Sequence, residues 1–235
     1  MVLEERLEEK IKIIDEIFQS YLIRDIAFLL RVERVDAFSS LIKMLASQAS
    51  QLINYSTLAS GAGISIQTVK NYIWYAEKTF IIYRLLPYFK NLRKEIVKSP
   101  TIYFSDLGLR NYSLGLFGNL SNPKDLSLSF QNYISNILKE KMKYTNSSLH
   151  FWRTQDKAEV DFVICSGKNT VPLEVKYREF TKVEINRSLR SFIEKYRPKK
   201  AFIVNLNLRE KVNISHTEVI FLPFWELFKL GPFFS

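Results

Sequence analysis

Hydrophobic and polar positions alternate along this chain in ways that predict a helical N-terminal half and a mixed C-terminal half. In residues 1–35 the apolar side chains fall near a 3.6-residue period, which predicts helix, and Phe38, Leu41 and Ile42 predict a second helix over Asp36–Ser50. After residue 120, short runs rich in Val, Ile and Phe end at turn residues and predict strands. The fold class is therefore expected to be α/β, or α+β overall.

The polar, proline-containing stretch Asn119–Lys124 is the predicted boundary between a domain at 1–120 and a domain at 121–235. The elements expected in the second domain are helices at about Leu126–Tyr144 and Val183–Tyr196, and strands at Leu149–Arg153, Glu159–Ile164, Val171–Lys176, Ala201–Asn205 and Glu218–Leu222. The connection Ser166–Thr170 holds Gly and Asn, which predicts a hairpin between two of these strands.

Two of the predicted strands carry a charged set with chemical meaning. Side chains alternate along a strand with a period of two, so Glu174 and Lys176 share one face, and Glu159 and Asp161 share a face of the neighbouring strand. Carboxylates on adjacent strands can hold a hard cation such as Mg²⁺ or Mn²⁺, and a lysine beside them can contact a scissile phosphate. The alternative is a solvated sheet face, which we favour for Glu159 alone but not for the set of Asp161, Glu174 and Lys176.

The stretch 54–77 has the pattern of a helix-turn-helix. Ser56 and Ser65 are the expected helix caps, and Gly61 and Gly63 are expected in the turn between the helices. The outward side chains near the start of the second helix are Gln67, Lys70 and Asn71. A recognition helix contacts DNA at this end, whereas many such modules serve only for packing or protein contact, so both interpretations stay open.

The segment after the helix-turn-helix predicts two wing strands, at Thr79–Leu86 and Ile96–Ser99. Lys94 and Lys98 lie on or between them and are expected to contact DNA. Next, Ser99–Arg110 predicts a strand, a turn and a short helix capped by Asp106.

Composition limits the classes of partner and site that the chain is expected to have. The net charge is +10 and lies mainly after residue 120, where Arg153 is one of the residues expected to hold a polyanion, so DNA is the expected partner. One cysteine, Cys165, excludes an internal disulfide, and one cysteine with two histidines excludes a structural zinc site. The charged start MVLEERLEEK is not typical of a signal peptide and no apolar run is long enough to span a bilayer, so a cytoplasmic protein without membrane contact is expected.

The order of elements around EVDFVI and PLEVKY resembles the PD-(D/E)xK restriction-endonuclease-like fold. More widely, the helix-turn-helix followed by KSPTIYFSDLGLRN, SFQNYISNIL, FWR-x5-EVDFVI and PLEVKY is similar to the C-terminal half of a prokaryotic group of AAA-type ATP-binding proteins, in which a winged helix precedes a nuclease-like domain. The resemblance implies that Asp161, Glu174, Lys176 and the Val175 carbonyl form a metal-dependent site.

Two features depart from this resemblance. No G-x-x-x-x-G-K-[S/T] occurs, so no ATP site is expected and a separate ATPase is the implied partner. The helix position that usually carries an acid is Gln131, which removes a negative charge, and Glu159 is the residue that could compensate.

The sequence thus predicts a DNA-binding protein with a Mg²⁺-dependent nuclease site. It leaves open a catalytically inactive DNA-binding or interaction protein of the same origin. A homodimer is expected by analogy with nuclease-like domains.

Overall fold

The computed structural model describes residues 6–20, 28, 31–89, 99–229 and 231, and its contacts divide the chain into two compact units. Unit 1 comprises Met1–Arg84 and Ser99–Leu126, and unit 2 comprises Leu85–Lys98 and Ser127–Ser235. Helices and strands both occur, so the α+β prediction is confirmed. A single boundary at Asn119–Lys124 does not anticipate that the chain leaves unit 1 after Arg84 and returns at Ser99.

Unit 1 is mainly helical. Its described helices are α1 (Leu7–Glu16), α2 (Val35–Ser47), α3 (Tyr55–Ala62), α4 (Ile66–Lys78) and α5 (Leu107–Ser113). The apolar faces of α2 to α5 meet in one core that includes Phe38, Leu41 and Ile73, all almost completely buried, and α1 contacts α5. The prediction of helix throughout 1–35 is wrong at residues 31–34, which form a turn before α2.

Side-chain caps fix the ends of α3 and α4. Asn54 caps α3, accepting hydrogen bonds from the Ser56 and Thr57 amides at 3.0 and 3.2 Å, so the prediction of Ser56 as the cap is wrong. Ser65 caps α4 as predicted, accepting from the Thr68 amide at 3.0 Å. Gly63, with φ of +62°, makes the left-handed turn between the helices.

A small sheet follows α4. It pairs β1 (Ile82–Leu85) with β2 (Thr101–Phe104), so the partner of the first predicted wing strand is β2. Of the second predicted wing strand, Ser99 lies outside any strand and residues 96–98 lie outside the described residues. The predicted turn and helix after β2 are confirmed, because Asp106 caps α5 by accepting from the Leu109 amide at 2.7 Å.

Unit 2 is built on a six-stranded sheet with the order β3-β4-β5-β6-β8-β7. The strands are β3 (Ser147–Arg153), β4 (Glu159–Ser166), β5 (Asn169–Val175), β6 (Lys200–Asn205), β7 (Glu210–Ile214) and β8 (Thr217–Pro223). The first three form an antiparallel meander, β6 runs parallel to both β5 and β8, and β7 is antiparallel to β8. The predicted hairpin closes between Ser166 and Asn169, with Gly167 at φ of +58°.

The described part of unit 2 also contains two α-helices and a short 3₁₀ helix at Phe224–Phe228. The long helix α6 (Pro123–Met142) begins three residues before the predicted start, and its residues from Ser127 onward belong to unit 2. Helix α7 (Arg187–Tyr196) begins later than predicted, because Asn186 caps it by accepting from the Leu189 amide at 2.8 Å.

The core of unit 2 holds the candidate strands in place. Helix α7 packs on β4 and β5, and its Phe192 meets Trp152 edge-on with ring centroids 5.2 Å apart. Val163 and Ile203 are almost completely buried in the same cluster. The strand ends that carry the predicted charged set are therefore anchored by apolar side chains on the same strands.

Candidate functional site

Asp161 and Glu174 face one another at the end of the β4–β5 ladder. The last paired residues are Phe162 and Leu173, and Asp161 and Glu174 are the next residues on their strands. The ladder does not continue as a backbone pair. Instead, the Val175 amide donates to Asp161 Oδ2 at 2.7 Å, which fixes the carboxylate at the strand end.

The Glu174 carboxylate is buried and only partly neutralised. It is 2% exposed, and Lys176 Nζ donates to its Oε2 at 2.8 Å. Its other oxygen, Oε1, is buried and accepts no hydrogen bond from any described residue. A buried carboxylate oxygen without a donor is costly, so this oxygen is suited to a further cationic or hydrogen-bonding partner.

Charge interactions shift the protonation of the set. Burial raises the pKa of Asp161 well above its usual range, and the nearby Glu174 carboxylate raises it further, although Lys176 and the Val175 amide oppose the shift. For Lys176, burial lowers the pKa, but the Glu174 and Asp161 carboxylates outweigh burial and the pKa is raised. Lys176 therefore keeps its proton at neutral pH and acts as a cation and hydrogen-bond donor.

Gln131 reaches this set from helix α6. Its Nε2 donates to Asp161 Oδ1 at 3.2 Å, so both oxygens of Asp161 accept hydrogen bonds, one from Gln131 and one from Val175. The structure thus brings Gln131 together with the predicted acids. A half-turn of the terminal amide would present its oxygen instead.

Glu159 is close but engaged elsewhere. It lies opposite Arg153 across the β3–β4 ladder, and Arg153 Nη1 donates to Glu159 Oε2 at 3.0 Å. Burial raises the pKa of Glu159, Arg153 opposes the shift, and the Glu174 carboxylate adds to it. Arg153, one of the predicted DNA contacts, is therefore in an ion pair on the sheet.

The oxygen-bearing groups around Asp161 and Glu174 suit a hard divalent cation, although few of them are carboxylates. Among the described residues, no group of three or more His, Cys, Asp and Glu side chains is arranged to hold a metal ion. The groups that could supply oxygen ligands are the carboxylates of Asp161 and Glu174, the Gln131 amide and the Val175 carbonyl, and oxygen ligands are what Mg²⁺ and Mn²⁺ prefer. The unsatisfied Glu174 Oε1 is the observation that makes the set fit such a cation.

The exposed face of α4 carries the other predicted set. Gln67, Lys70 and Asn71 are all exposed, and Gln67 Nε2 donates to Asn71 Oδ1 at 3.1 Å. Lys70 Nζ lies 5.8 Å from the centre of the Tyr55 ring. Lys94 and Lys98, predicted for the same function, lie outside the described residues.

Trp74 was not among the predicted residues. It lies three residues after Asn71 and four after Lys70. It is 46% exposed, and Lys78 Nζ lies 5.7 Å from its ring. Residues three and four apart share a helix face, and this spacing was the signal available in the sequence.

A cavity of about 190 Å³ adjoins the carboxylates in unit 2. Glu174 on β5 and Ile203 on β6 line it together with Lys176, Arg178 and Glu184 from the segment that follows β5. The pattern of the sequence did not predict this cavity, because it is closed by an irregular segment whose path depends on the tertiary fold. Separately, no helix among the described residues is long and apolar enough to cross a membrane.

Comparison with known proteins finds a match to a domain of unknown function in each half of the chain. Residues 1–120 match a domain of unknown function (DUF8612), and residues 127–227 match a domain of unknown function (DUF4143). An uncharacterised protein of Mycobacterium bovis and another of Mycobacterium tuberculosis are each 31% identical over 152 residues, which is 63% of this chain and 33% of each relative.

A further relative covers more of the chain. An uncharacterised protein of Haemophilus influenzae is 24% identical over 222 residues, which is 92% of this chain and 52% of that protein. The chain therefore spans about a third to a half of the length of these curated relatives.

Proposed function

The chain belongs to the family defined by the domain of unknown function DUF8612, and we propose that it is a metal-dependent nuclease that hydrolyses DNA phosphodiester bonds. The observation that carries the proposal is the grouping of Asp161, Glu174 and protonated Lys176 at one strand end, with Glu174 Oε1 buried and unsatisfied. Two acids placed close together in a buried site beside an ammonium destabilise the folded state. We infer that this arrangement is retained because it serves catalysis.

The proposed roles follow from these contacts. Asp161 and Glu174 hold the cation, with the Val175 carbonyl and the Gln131 amide as further oxygen donors. When bound, a divalent cation polarises the phosphoryl oxygen and lowers the pKa of a water molecule. Lys176 carries its proton, so it donates to the phosphate and stabilises the negative charge that develops during attack.

Each unit can be assigned to a fold class. We propose that the meander β3–β5 with α6 and α7 belongs to the PD-(D/E)xK nuclease-like class, because the helix–meander–helix–strand order matches it. We propose that α3 and α4 with the β1–β2 sheet form a winged helix-turn-helix. The exposed α4 face with Gln67, Lys70 and Asn71 would then contact DNA.

The decisive experiment is cleavage of labelled single-stranded, duplex and branched DNA with Mg²⁺ or Mn²⁺. Glu174→Gln and Lys176→Ala should each abolish cutting, and EDTA should abolish it in the wild type. Lys200→Ala removes an exposed lysine of β6 in the same unit and is the control that should cut normally. Cutting that persists in Glu174→Gln and Lys176→Ala would refute the assigned site, and thermal melting of each variant confirms that it is folded.

A second candidate function is DNA binding without cleavage. The observation that favours it is Gln131, an amide where the resemblance implies an acid, with its N–H committed to Asp161. This function predicts binding that weakens steeply with salt and no cutting on any substrate. A partner ATPase and a homodimer remain proposals from the resemblance, and size measurement in solution tests the homodimer.

A further inference from the structure

We propose that the cavity beside Glu174 and Lys176 binds a phosphate group of a nucleic acid strand, and that Arg178 recognises this phosphate after releasing Glu184. The inference rests on the proposed nuclease function, and it assigns to the same site a second phosphate contact next to the phosphodiester that is cut. We call the group formed by Arg178, Phe180 and Glu184 the arginine subsite.

The cavity has the size and lining for such a group. Its volume of about 190 Å³ is several times the roughly 30 Å³ that one water occupies. Lys176 and Arg178 both line the cavity, so a strand whose scissile phosphate meets Lys176 would place a neighbouring phosphate near the arginine. Both cations belong to unit 2.

The guanidinium of Arg178 contacts an aromatic ring. It lies 4.1 Å from the centre of the Phe180 ring, within cation–π distance. Phe180 is buried and meets Phe221 nearly edge-on, with ring centroids 5.6 Å apart. Contact with a buried ring restricts the positions of the guanidinium, whose planar donors can bind a phosphate in a bidentate manner.

The loop that carries Arg178 is anchored at two points. Asn207 closes a double hydrogen bond on Phe180, accepting from its amide at 2.8 Å and donating to its carbonyl at 3.1 Å. The Arg178 carbonyl accepts from the Leu206 amide at 3.3 Å. Asn205 is fully buried, and its Oδ1 accepts a hydrogen bond from the backbone amide of Asn207 at 2.9 Å, which positions Asn207. These contacts preorganise the subsite before any ligand arrives.

Glu184 is the internal competitor for the arginine. Arg178 Nη2 lies 2.9 Å from Glu184 Oε2, but the two side chains are 52% and 46% exposed. Ion pairs at that exposure contribute little to stability, because solvent screens them. A phosphate offers two oxygens to the same planar donors and can replace the single carboxylate contact.

Binding of a fluorescently labelled single-stranded oligodeoxynucleotide, measured by anisotropy in EDTA, tests the subsite without metal or cleavage. Arg178→Gln should weaken binding roughly tenfold and reduce the slope of log affinity against log salt by about 0.7, the value for one phosphate contact on a single strand. Glu184→Gln should strengthen binding about two- to fivefold, because it removes the competitor.

Arg209 and Glu226 supply the matched controls. They form another arginine–glutamate ion pair in unit 2 that does not line the cavity. Arg209→Gln and Glu226→Gln should leave strand affinity within about twofold of wild type, because neither residue lines the cavity. The inference is overturned if Arg178→Gln matches Arg209→Gln, if Glu184→Gln weakens binding, or if the wild type binds no strand.

Inorganic phosphate, added against chloride at equal ionic strength, separates a strand phosphate from a free anion. If phosphate binds the wild type but not Arg178→Gln, while both bind the strand equally, the subsite serves a free anion and the inference is wrong. Failure of the proposed function looks different. A strand-affinity loss in Arg178→Gln without cleavage under any metal supports the subsite and refutes the nuclease, whereas metal-dependent cleavage with unchanged affinity in Arg178→Gln does the reverse.

Discussion

Gln131 Nε2 donates a hydrogen bond to Asp161 Oδ1 at 3.2 Å, so an uncharged amide occupies the position next to the two acids of the candidate site. An acid at this position would be a third carboxylate close to Asp161, whose pKa is already raised by burial and by Glu174. The amide therefore limits repulsion in the metal-free protein. It also reduces the negative charge available to a cation.

Gln131→Glu should make the protein less stable without metal and more responsive to it. In EDTA at neutral pH the melting temperature should fall by a few degrees, which corresponds to about 1 kcal/mol for a domain of this size. Addition of Mn²⁺ should raise the melting temperature of Gln131→Glu more than that of the wild type, because the new carboxylate adds a ligand. Differential scanning fluorimetry provides both values.

Gln155→Glu is the matched control for this experiment. It makes the same chemical change at an exposed turn position of unit 2. Equal responses of the two variants to EDTA and Mn²⁺ would show that position 131 has no connection with a cation.

The shared face of Glu174 and Lys176 could be predicted because it depends on a short local rule. A period of two places Glu174 and Lys176 on one face, and their 2.8 Å contact confirms that they are neighbours. The contact between the Val175 amide and Asp161 could not be predicted, since it depends on where the β4–β5 ladder stops pairing. The pairing of Glu159 with Arg153 likewise depends on the β3–β4 register.

The fold showed the same division between local and non-local information. Caps at Ser65 and Asp106 were predictable from residue type and position. Strand β7 (Glu210–Ile214) was missed because it is an edge strand, exposed or half-buried along its whole length, and has no continuous apolar run. The cavity beside Arg178 combines the end of β5, a residue of β6 and the segment between β5 and α7, which meet only in the folded unit.

Alkaline pH should act on the contact between α1 and α5. The Tyr112 hydroxyl donates to Asp15 Oδ1, and burial together with this hydrogen bond raises the pKa of Tyr112 to about 12. A raised pKa means that the folded state favours the neutral phenol, so its contribution is complete below pH 10 and is lost as the pH rises through about 12. Urea unfolding should be followed between about pH 8 and 11, the range in which an ordinary tyrosine begins to titrate. The loss of stability should be steeper in the wild type than in Tyr112→Phe.

Tyr144→Phe is the control for the tyrosine experiment, because Tyr144 is 90% exposed. Its pH dependence should match that of the wild type. A Tyr112→Phe variant with an unchanged pH dependence would contradict the assigned contact.

The exposed face of α4 should contribute charge to DNA binding. Lys70→Gln should weaken duplex binding several-fold and reduce the salt slope by about 0.9, as expected for the loss of one phosphate contact on duplex DNA. Lys43→Gln, an exposed lysine on α2 in the same unit, is the control. Equal effects of the two substitutions in electrophoretic or anisotropy titrations would assign the binding to overall charge rather than to α4.

The Glu174–Lys176 pair offers the sharpest test of whether the site is an electrostatic unit. Glu174 has a side chain only 3% exposed, whereas the Lys176 side chain is 34% exposed. Removing one partner of a fully buried pair costs about 3–5 kcal/mol, and the partial exposure of Lys176 reduces the expected loss for Lys176→Met to about 2–3 kcal/mol. Urea unfolding in EDTA at neutral pH measures this loss.

A double-mutant cycle separates the pair from simple packing. Glu174→Gln with Lys176→Met removes both charges, so the double variant should recover part of the stability lost in Lys176→Met. Lys200→Met, at an exposed position of β6, controls for the change in side-chain type. If the two losses simply add, the 2.8 Å contact between Glu174 and Lys176 contributes no coupling free energy. The pair is then not the electrostatic unit that the proposed cation site requires. If they couple, the folded protein maintains a buried carboxylate whose second oxygen is free of described donors, and the same variants then show by their cleavage whether that charge serves catalysis.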